Sequence, residues 1–111
     1  MRVTSALFVA ALTRRAFAEG ASAAIVRHGA EEAGAIFVVV DHLNGQSDLY
    51  GPAPQALFDE GRPMDRVFQR LIEAAADDAI AARLEREKRF DPDLWVVAIE
   101  DRAGRAFIET A

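Results

Sequence analysis

The amino-terminal segment shows the periodicity of a helix with one apolar face. Apolar residues recur at helical spacing between Thr4 and Gly20. Thr4 or Ser5 can cap the amino end, and Gly20 suits the position just beyond the carboxyl end. Arg14 and Arg15 follow the apolar run, where a cleaved export signal carries no charge. We therefore predict a folded helix and a cytoplasmic protein.

Three short runs with the composition of β-strands follow this helix. Residues 23–27, 35–40 and 47–50 are rich in β-branched or alternating apolar residues. Pro52 and Pro54 end the third run, because a proline cannot donate a hydrogen bond to a neighbouring strand.

The second and third strands are predicted to form a hairpin at Asn44-Gly45, a strong turn signal. A two-residue turn would place Asp41 opposite Asp48, and two opposed carboxylates destabilise a strand pair. A three-residue loop ending in a bulge would instead place Asp41 opposite Ser47. We favour the second register because it separates the two charges.

A long helical pattern extends from residue 64 or 65 to about residue 89, before the stop signal at Pro92. A helix of that length would measure about 37 Å. It would therefore bend near Asp77 and Asp78, or project and meet a partner chain. Charges of alternating sign at residues 83–89 predict a helix end that faces solvent.

The last part of the chain predicts two further strands, at residues 94–99 and 106–108. The predicted order is therefore α-β-β-β-α-β-β in a single domain spanning residues 1–111. Short connections favour antiparallel pairing. We predict a two-layer α+β fold, in which a mainly antiparallel five-stranded sheet carries both helices on one face.

Composition excludes several classes of function. Eighteen acidic and thirteen basic residues give a net charge of −5, which disfavours nucleic acid and anionic membrane surfaces as partners. The chain has no cysteine, so disulfides, thiolate zinc sites and thiol nucleophiles are all excluded. The absence of cysteine also agrees with a reducing compartment such as the cytoplasm.

Four segments carry a resemblance to a known group of proteins. They read ALTRR at 11–15, RHGAEEAGAIFV at 27–38, LYGPAPQ at 49–55 and RFDPDLWVV at 89–97. Together they resemble a small uncharacterised bacterial family, a domain of unknown function, over the whole chain. The resemblance implies one compact domain, and it supplies no catalytic residue.

One short motif suggests an enzyme. The sequence Ile-Val-Arg-His-Gly at 25–29 is similar to the opening motif of the histidine phosphatase superfamily, in which the histidine is the nucleophile. That superfamily also uses a second, distant histidine, whereas the one other histidine here is His42, in the predicted hairpin. We favour a structural role, with Arg27 pairing with Glu31 or Glu32.

Phosphate and metal sites are not indicated. Gly29 and Gly34 have the spacing of a phosphate-binding loop, but the Lys-Ser/Thr pair that must follow is absent. The histidines and aspartates lack the spacing of zinc or calcium motifs. We predict no cofactor and no metal.

An apolar surface is predicted beyond the third strand. This candidate interaction surface consists of Tyr50, Pro52, Pro54, Leu57 and Phe58, in a segment with few regular elements. The alternative interpretation is that Leu57 and Phe58 cover the end of the sheet.

The sequence therefore favours a small binding or interaction domain without catalytic activity. Its expected partner is a protein, and a second copy of the same chain would make a homodimer. The alternative is a small-molecule binder or enzyme that uses Arg27, His28 and Tyr50 at one end of the sheet.

Overall fold

The computed structural model describes residues 3–54 and 66–111 of the chain. These residues form two helices and five strands. In chain order the elements are α1 (Ser5–Ala18), β1 (Ser22–Arg27), β2 (Ile36–Asp41), β3 (Ser47–Pro52), β4 (Phe68–Ala75), α2 (Asp77–Phe90) and β5 (Trp95–Glu100).

The five strands form one sheet in the order β1-β5-β2-β3-β4. β5 pairs antiparallel with β1 and parallel with β2, and the β2-β3 and β3-β4 pairs are antiparallel. The predicted α+β class, with two helices and a largely antiparallel five-stranded sheet, is confirmed. The single parallel pair follows from the insertion of the last strand between β1 and β2.

The two helices cover opposite faces of the sheet, so the prediction of two layers with both helices on one face is wrong. α1 packs on the face that carries Val38, Val97 and Ile99, whereas α2 packs on the face that carries Phe37 and Val96. Successive residues of a strand point to opposite faces, and β2 and β5 are apolar on both. Each face therefore needs its own cover, and the fold has three layers.

The segment predicted as one long helix contains a strand and a shorter helix. Residues 68–75 are β4, at the far side of β3, and α2 begins only at Asp77. Asp77 and Asp78 lie in the first turn of α2, where acidic side chains are favourable. The 14 residues of α2 span about 21 Å, so α2 does not have the length of the projecting helix that the sequence predicts. Among the described residues, no helix is long and apolar enough to cross a membrane.

The register shifts in β4 explain why its sequence has the pattern of a helix. The pairing of β3 with β4 is irregular on both sides of Leu49. These irregularities break the strict two-residue alternation of a strand. The apolar positions of β4 therefore fall at intervals of three and four residues, as in a helix. Pairing with β3 overrides the local preference.

Residues 106–108 are not a strand, in contrast to the prediction. Ala106, Phe107 and Ile108 are half-buried and pack against the core on the α1 side of the sheet. Further along, the N–H of Phe68 donates to the carbonyl of Glu109 at 2.9 Å, and the N–H of Ala111 donates to the carbonyl of Phe68 at 2.8 Å. The carboxyl-terminal residues thus cover the start of β4.

The ends of α1 agree with the prediction. The Thr4 hydroxyl accepts a hydrogen bond from the N–H of Leu7 at 3.2 Å, which makes Thr4 the amino-terminal cap. Gly20 follows the helix with φ of 90°, a conformation that favours glycine. The buried Ser5 hydroxyl donates to the carbonyl of Gly34 at 2.6 Å and ties the helix to the segment before β2.

The hairpin register that we favoured is confirmed. Asp41 pairs with Ser47, and Asp48 pairs with Val40, so the two carboxylates are not opposed. Gly45 has a φ of 86°, in the left-handed region that the loop requires.

The core side of α1 can be tested with two leucines on the same helix. Leu12 is 2% exposed and Leu7 is 60% exposed. We expect Leu12→Ala to lower the free energy of unfolding by about 2–5 kcal/mol, because it leaves a cavity. Leu7→Ala is the matched control, with an expected change within about 0.5 kcal/mol. Urea unfolding followed by the fluorescence of Trp95 measures both, and equal effects would contradict the placement of α1.

Candidate functional site

Arg27 is held by backbone carbonyls, and the predicted pairing with Glu31 or Glu32 does not account for its position. Its Nη2 donates to the carbonyl of Pro92 at 2.9 Å, and its Nη1 donates to the carbonyl of Leu94 at 3.1 Å. Arg27 therefore fixes the turn that leads into β5.

His28 and the glycines beside it belong to the same corner. The exposed imidazole of His28 lies 5.2 Å from the Trp95 ring, centroid to centroid, and Trp95 Nε1 donates to the carbonyl of Ala30 at 2.8 Å. A Cβ on Gly29 would approach the carbonyl oxygen of Asp93 to 2.1 Å, so the backbones touch here. The Arg-His-Gly motif thus makes a close contact between the end of β1 and the start of β5.

Tyr50 lies far from the other two predicted ligand-binding residues. It is 7% exposed, on β3, in the core on the α1 side of the sheet. Two strands, β5 and β2, separate β3 from β1, a separation of about 14 Å at the usual strand spacing. The structure therefore does not bring Tyr50 together with Arg27 and His28.

The predicted interaction surface is divided in the structure. Pro52 and Pro54 are exposed, whereas Tyr50 is buried. Leu57 and Phe58 lie outside the described residues. Pro52 lines an open cleft between α2 and the sheet, which we call the α2 cleft.

The α2 cleft arises because α2 contacts the sheet mainly through its first half. Ile80 is the one buried residue of this helix, and Leu84 is partly buried beside it. Further along, the helix leaves a cleft with a volume of about 260 Å³. Its lining residues are Ala35, Phe37, Pro52, Gln69, Leu71, Arg83, Glu87 and Asp91.

The floor of the cleft is apolar and closely packed. Phe37 on β2 and Leu71 on β4 are not on adjacent strands, since β3 runs between them. Gly51 on β3 lets them approach each other, because a Cβ there would come within 2.8 Å of both side chains. The absence of a side chain at Gly51 therefore shapes the floor.

The wall of the cleft is formed by charged side chains of α2. Arg83 Nε donates to Glu87 Oε2 at 2.9 Å, and both side chains are little more than a quarter exposed. They are spaced four residues apart and so share one side of the helix. The sequence predicted that residues 83–89 face solvent, and for Arg83 and Glu87 this is corrected: they face the cleft.

Another polar cluster lies where the β2-β3 hairpin loop meets β4. The carboxylate of Asp48 is buried, with Oδ2 2.9 Å from His42 Nε2 and Oδ1 accepting the N–H of Ala74 at 2.8 Å. Ala74 has a φ of 51°, a strained value for a residue other than glycine. The hydrogen bond from Ala74 to Asp48 holds that residue in place.

An ion pair closes the turn after β5. Arg105 donates from Nε and Nη2 to the two oxygens of Asp101, at 2.9 and 3.0 Å, and its backbone N–H donates to Asp101 Oδ2 at 2.8 Å. These hydrogen bonds lower the pKa of Asp101 from 3.8 to about 2. Asp101 in turn donates its own N–H to the carbonyl of Asp41 at 3.0 Å. Asp101 therefore ties the end of β5 to the end of β2 and to the turn that carries Arg105.

Metal ligation is not favoured by this arrangement. Within residues 3–54 and 66–111, no group of three or more His, Asp or Glu side chains is positioned to hold a metal ion. In the polar cluster, Asp48 already bonds to His42 and to a backbone N–H, and Asp101 bonds to Arg105.

The fold defines a class of small three-layer α+β domains, and comparison with known proteins gives the family. The profile of DUF1491, a protein of unknown function, matches residues 3–109. The chain therefore belongs to the DUF1491 family. No curated protein matches it.

Three solved structures are similar over the whole chain. A solution structure of protein Atu0922 from A. tumefaciens has a TM-score of 0.87 and 46% identity, and the alignment covers 100% of this chain and 96% of that one. A crystal structure of a DUF1491 family protein from Caulobacter crescentus has a TM-score of 0.81 at 35% identity, with 100% and 99% covered. An NMR structure of a DUF1491 family protein from the same organism has a TM-score of 0.80 at 35% identity, with 100% and 98% covered. They agree with this fold.

The Asp101–Arg105 pair predicts a dependence of stability on pH. Because the pKa of Asp101 is lower in the folded protein, its contribution is complete above 3.8 and is lost as the pH falls towards 2. We expect Asp101→Asn to lower Tm at neutral pH, with the difference from wild type shrinking over that interval. Thermal unfolding by circular dichroism measures it, with Asp93→Asn at an exposed turn as control. A deficit in Tm that stays constant down to the lowest pH would contradict the role of the ion pair.

Proposed function

We propose that this protein acts by binding, and that its recognition site is the α2 cleft. The observation that carries the proposal is the combination of an apolar floor, made by Phe37 and Leu71, with a charged wall, made by Arg83 and Glu87. Ligand sites in proteins typically join an apolar surface to a few polar groups that orient the ligand. The cytoplasm is the compartment that we propose for this activity.

The rigidity of the site supports this proposal. The floor residues belong to β2 and β4, two strands of one sheet, and the close contact above Gly51 fixes their side chains. A site on regular elements is held more precisely than a site on loops. The α2 cleft also includes Pro52, which belongs to the interaction surface that the sequence predicts.

Binding is favoured over the alternative of catalysis by Arg27, His28 and Tyr50. Arg27 is engaged with two backbone carbonyls, and Tyr50 lies within the core two strands away from β1. Nucleophilic or acid–base catalysis needs its groups within hydrogen-bond reach of one another or of one substrate. The three residues therefore support a structural role better than a shared active site.

A cleft-filling variant tests the proposed site. We expect neutral fragments such as indole and phenol to shift amide resonances of residues that line the α2 cleft. Ala35→Leu fills part of the cleft, so it should abolish these shifts. Ala81→Leu, at an exposed position on α2, should leave them unchanged. The measurement is two-dimensional NMR of the full chain, and shifts that persist in Ala35→Leu would contradict the proposal.

Self-association is a second candidate function, and exposed apolar side chains on α1 favour it. Leu7 is 60% exposed and Phe17 is 59% exposed. Contiguous apolar patches on a protein surface mark interaction sites, and a second copy of the chain would cover these two side chains. A projecting helix does not contribute to this proposal, since α2 has only 14 residues.

Self-association is tested by sedimentation velocity and light scattering at increasing concentration. We expect the wild-type chain to form a dimer at high micromolar concentration and the double variant Leu7→Ser, Phe17→Ser to remain a monomer. Leu43→Ser, at a 43% exposed loop residue, is the control and should behave as wild type. A wild-type chain that is strictly monomeric in this range would contradict self-association.

A further inference from the structure

The wall of the α2 cleft carries charges of both signs. Arg83 contributes a guanidinium, and Glu87 and Asp91 contribute two carboxylates. A ligand with a carboxylate alone would meet two like charges, and a ligand with an amine alone would meet the guanidinium. The charge pattern therefore matches a ligand that carries both a carboxylate and an amine.

The charged groups of the wall keep hydrogen-bonding capacity for a ligand. Arg83 uses Nε to bond with Glu87 Oε2, and within the described part of the chain its two Nη atoms have no partner. Asp91 uses Oδ1 to accept the N–H of Asp93 at 3.0 Å, and its Oδ2 has no partner among the same residues. A guanidinium with both NηH2 groups available suits a bidentate carboxylate.

The positions of these groups along α2 favour one orientation of the ligand. The Cα atoms of Arg83 and Glu87 lie about 6 Å apart along the helix axis. Their charged groups are in contact, with Arg83 Nε 2.9 Å from Glu87 Oε2. Asp91 lies just beyond the carboxyl end of the helix, where the partial negative charge of the helix dipole favours a cation. The carboxylate would therefore lie at Arg83, with the amine between Glu87 and Asp91.

The floor of the cleft indicates that the ligand has an apolar side chain, and the volume of the cleft limits the size of the ligand. Phe37, Leu71 and Pro52 offer apolar surface to a branched or aromatic side chain. The volume of about 260 Å³ lies below the range of pockets for drug-sized ligands. The cleft therefore suits a small molecule that has one apolar group.

We propose that the α2 cleft binds a free α-amino acid with an apolar side chain. Arg83 binds its carboxylate, Glu87 and Asp91 bind its ammonium group, and the side chain lies on the floor at Phe37 and Leu71. This inference rests on the proposed function and narrows it to one class of ligand.

Three matched ligands test the two charge contacts separately. The full chain is titrated with L-leucine, with N-acetyl-L-leucine, which lacks the ammonium charge, and with L-leucinamide, which lacks the carboxylate. We expect L-leucine to shift the amide resonances of Ala35, Phe37 and Leu71. Each blocked derivative should bind at least about tenfold more weakly, because one charge-assisted contact is lost.

Two arginine variants on the same helix test the carboxylate contact in the protein. Arg83→Gln should weaken the binding of L-leucine about tenfold or more and should change the binding of L-leucinamide little. Arg86→Gln, at an exposed position of α2, is the matched control and should bind L-leucine as wild type does.

The outcomes separate this inference from the proposed function. If the blocked derivatives bind as tightly as L-leucine, or if L-leucine shifts no amide of the cleft while indole does, the amino-acid inference is overturned and the binding site stands. If neither L-leucine nor any neutral fragment shifts the cleft amides, both proposals are overturned.

Discussion

The insertion of β5 between β1 and β2 is the constraint on which the rest of this structure depends. Val97 and Ile99 supply the core beneath α1, and Val96, with Leu94 just before the strand, supplies the core beneath α2. One strand therefore holds both helical layers. Without it, β1 would have no partner in the sheet, and neither helix would have a complete surface to pack against.

The entry of β5 into this position is fixed by contacts with the corner after β1. The N–H of Trp95 donates to the carbonyl of Ala35 at 2.7 Å, and Arg27 binds two carbonyls of the preceding turn. Gly29 and Gly34 let their backbones approach Asp93, at separations that a side chain would not allow. The Arg-His-Gly motif that suggests chemistry in the sequence thus has a structural explanation, because it closes this corner.

Much of the fold could be predicted from the sequence, and the errors have a common physical origin. Local signals gave α1 with its Thr4 cap, the strands β2, β3 and β5, and the register of Asp41 with Ser47, because each depends on neighbouring residues. The identity of β4 depends on pairing with β3 through two irregularities, which local periodicity does not reveal. The faces covered by the helices also depend on which strands become neighbours.

The candidate site could be predicted only in part from the sequence, because it also depends on which elements become neighbours. The separation of four residues between Arg83 and Glu87 is visible in the sequence, but the same separation occurs on helices that face solvent. Only the tertiary arrangement turns this pair towards Phe37 and Leu71. Pro52, which the sequence places in an interaction surface, is exposed. Tyr50, two positions earlier, lies in the core because β3 has apolar neighbours on both faces.

The pairing of β1 with β5 has a consequence for how the protein folds. The two strands come from opposite ends of the chain, so their contacts close a long loop and are gained late. Until β5 is in place, β1 and β2 each present an unpaired edge, and such edges invite pairing between molecules. The order of synthesis makes this interval unavoidable, since β5 is the last strand of the sheet to leave the ribosome. Aggregation during folding is therefore a hazard that this topology carries.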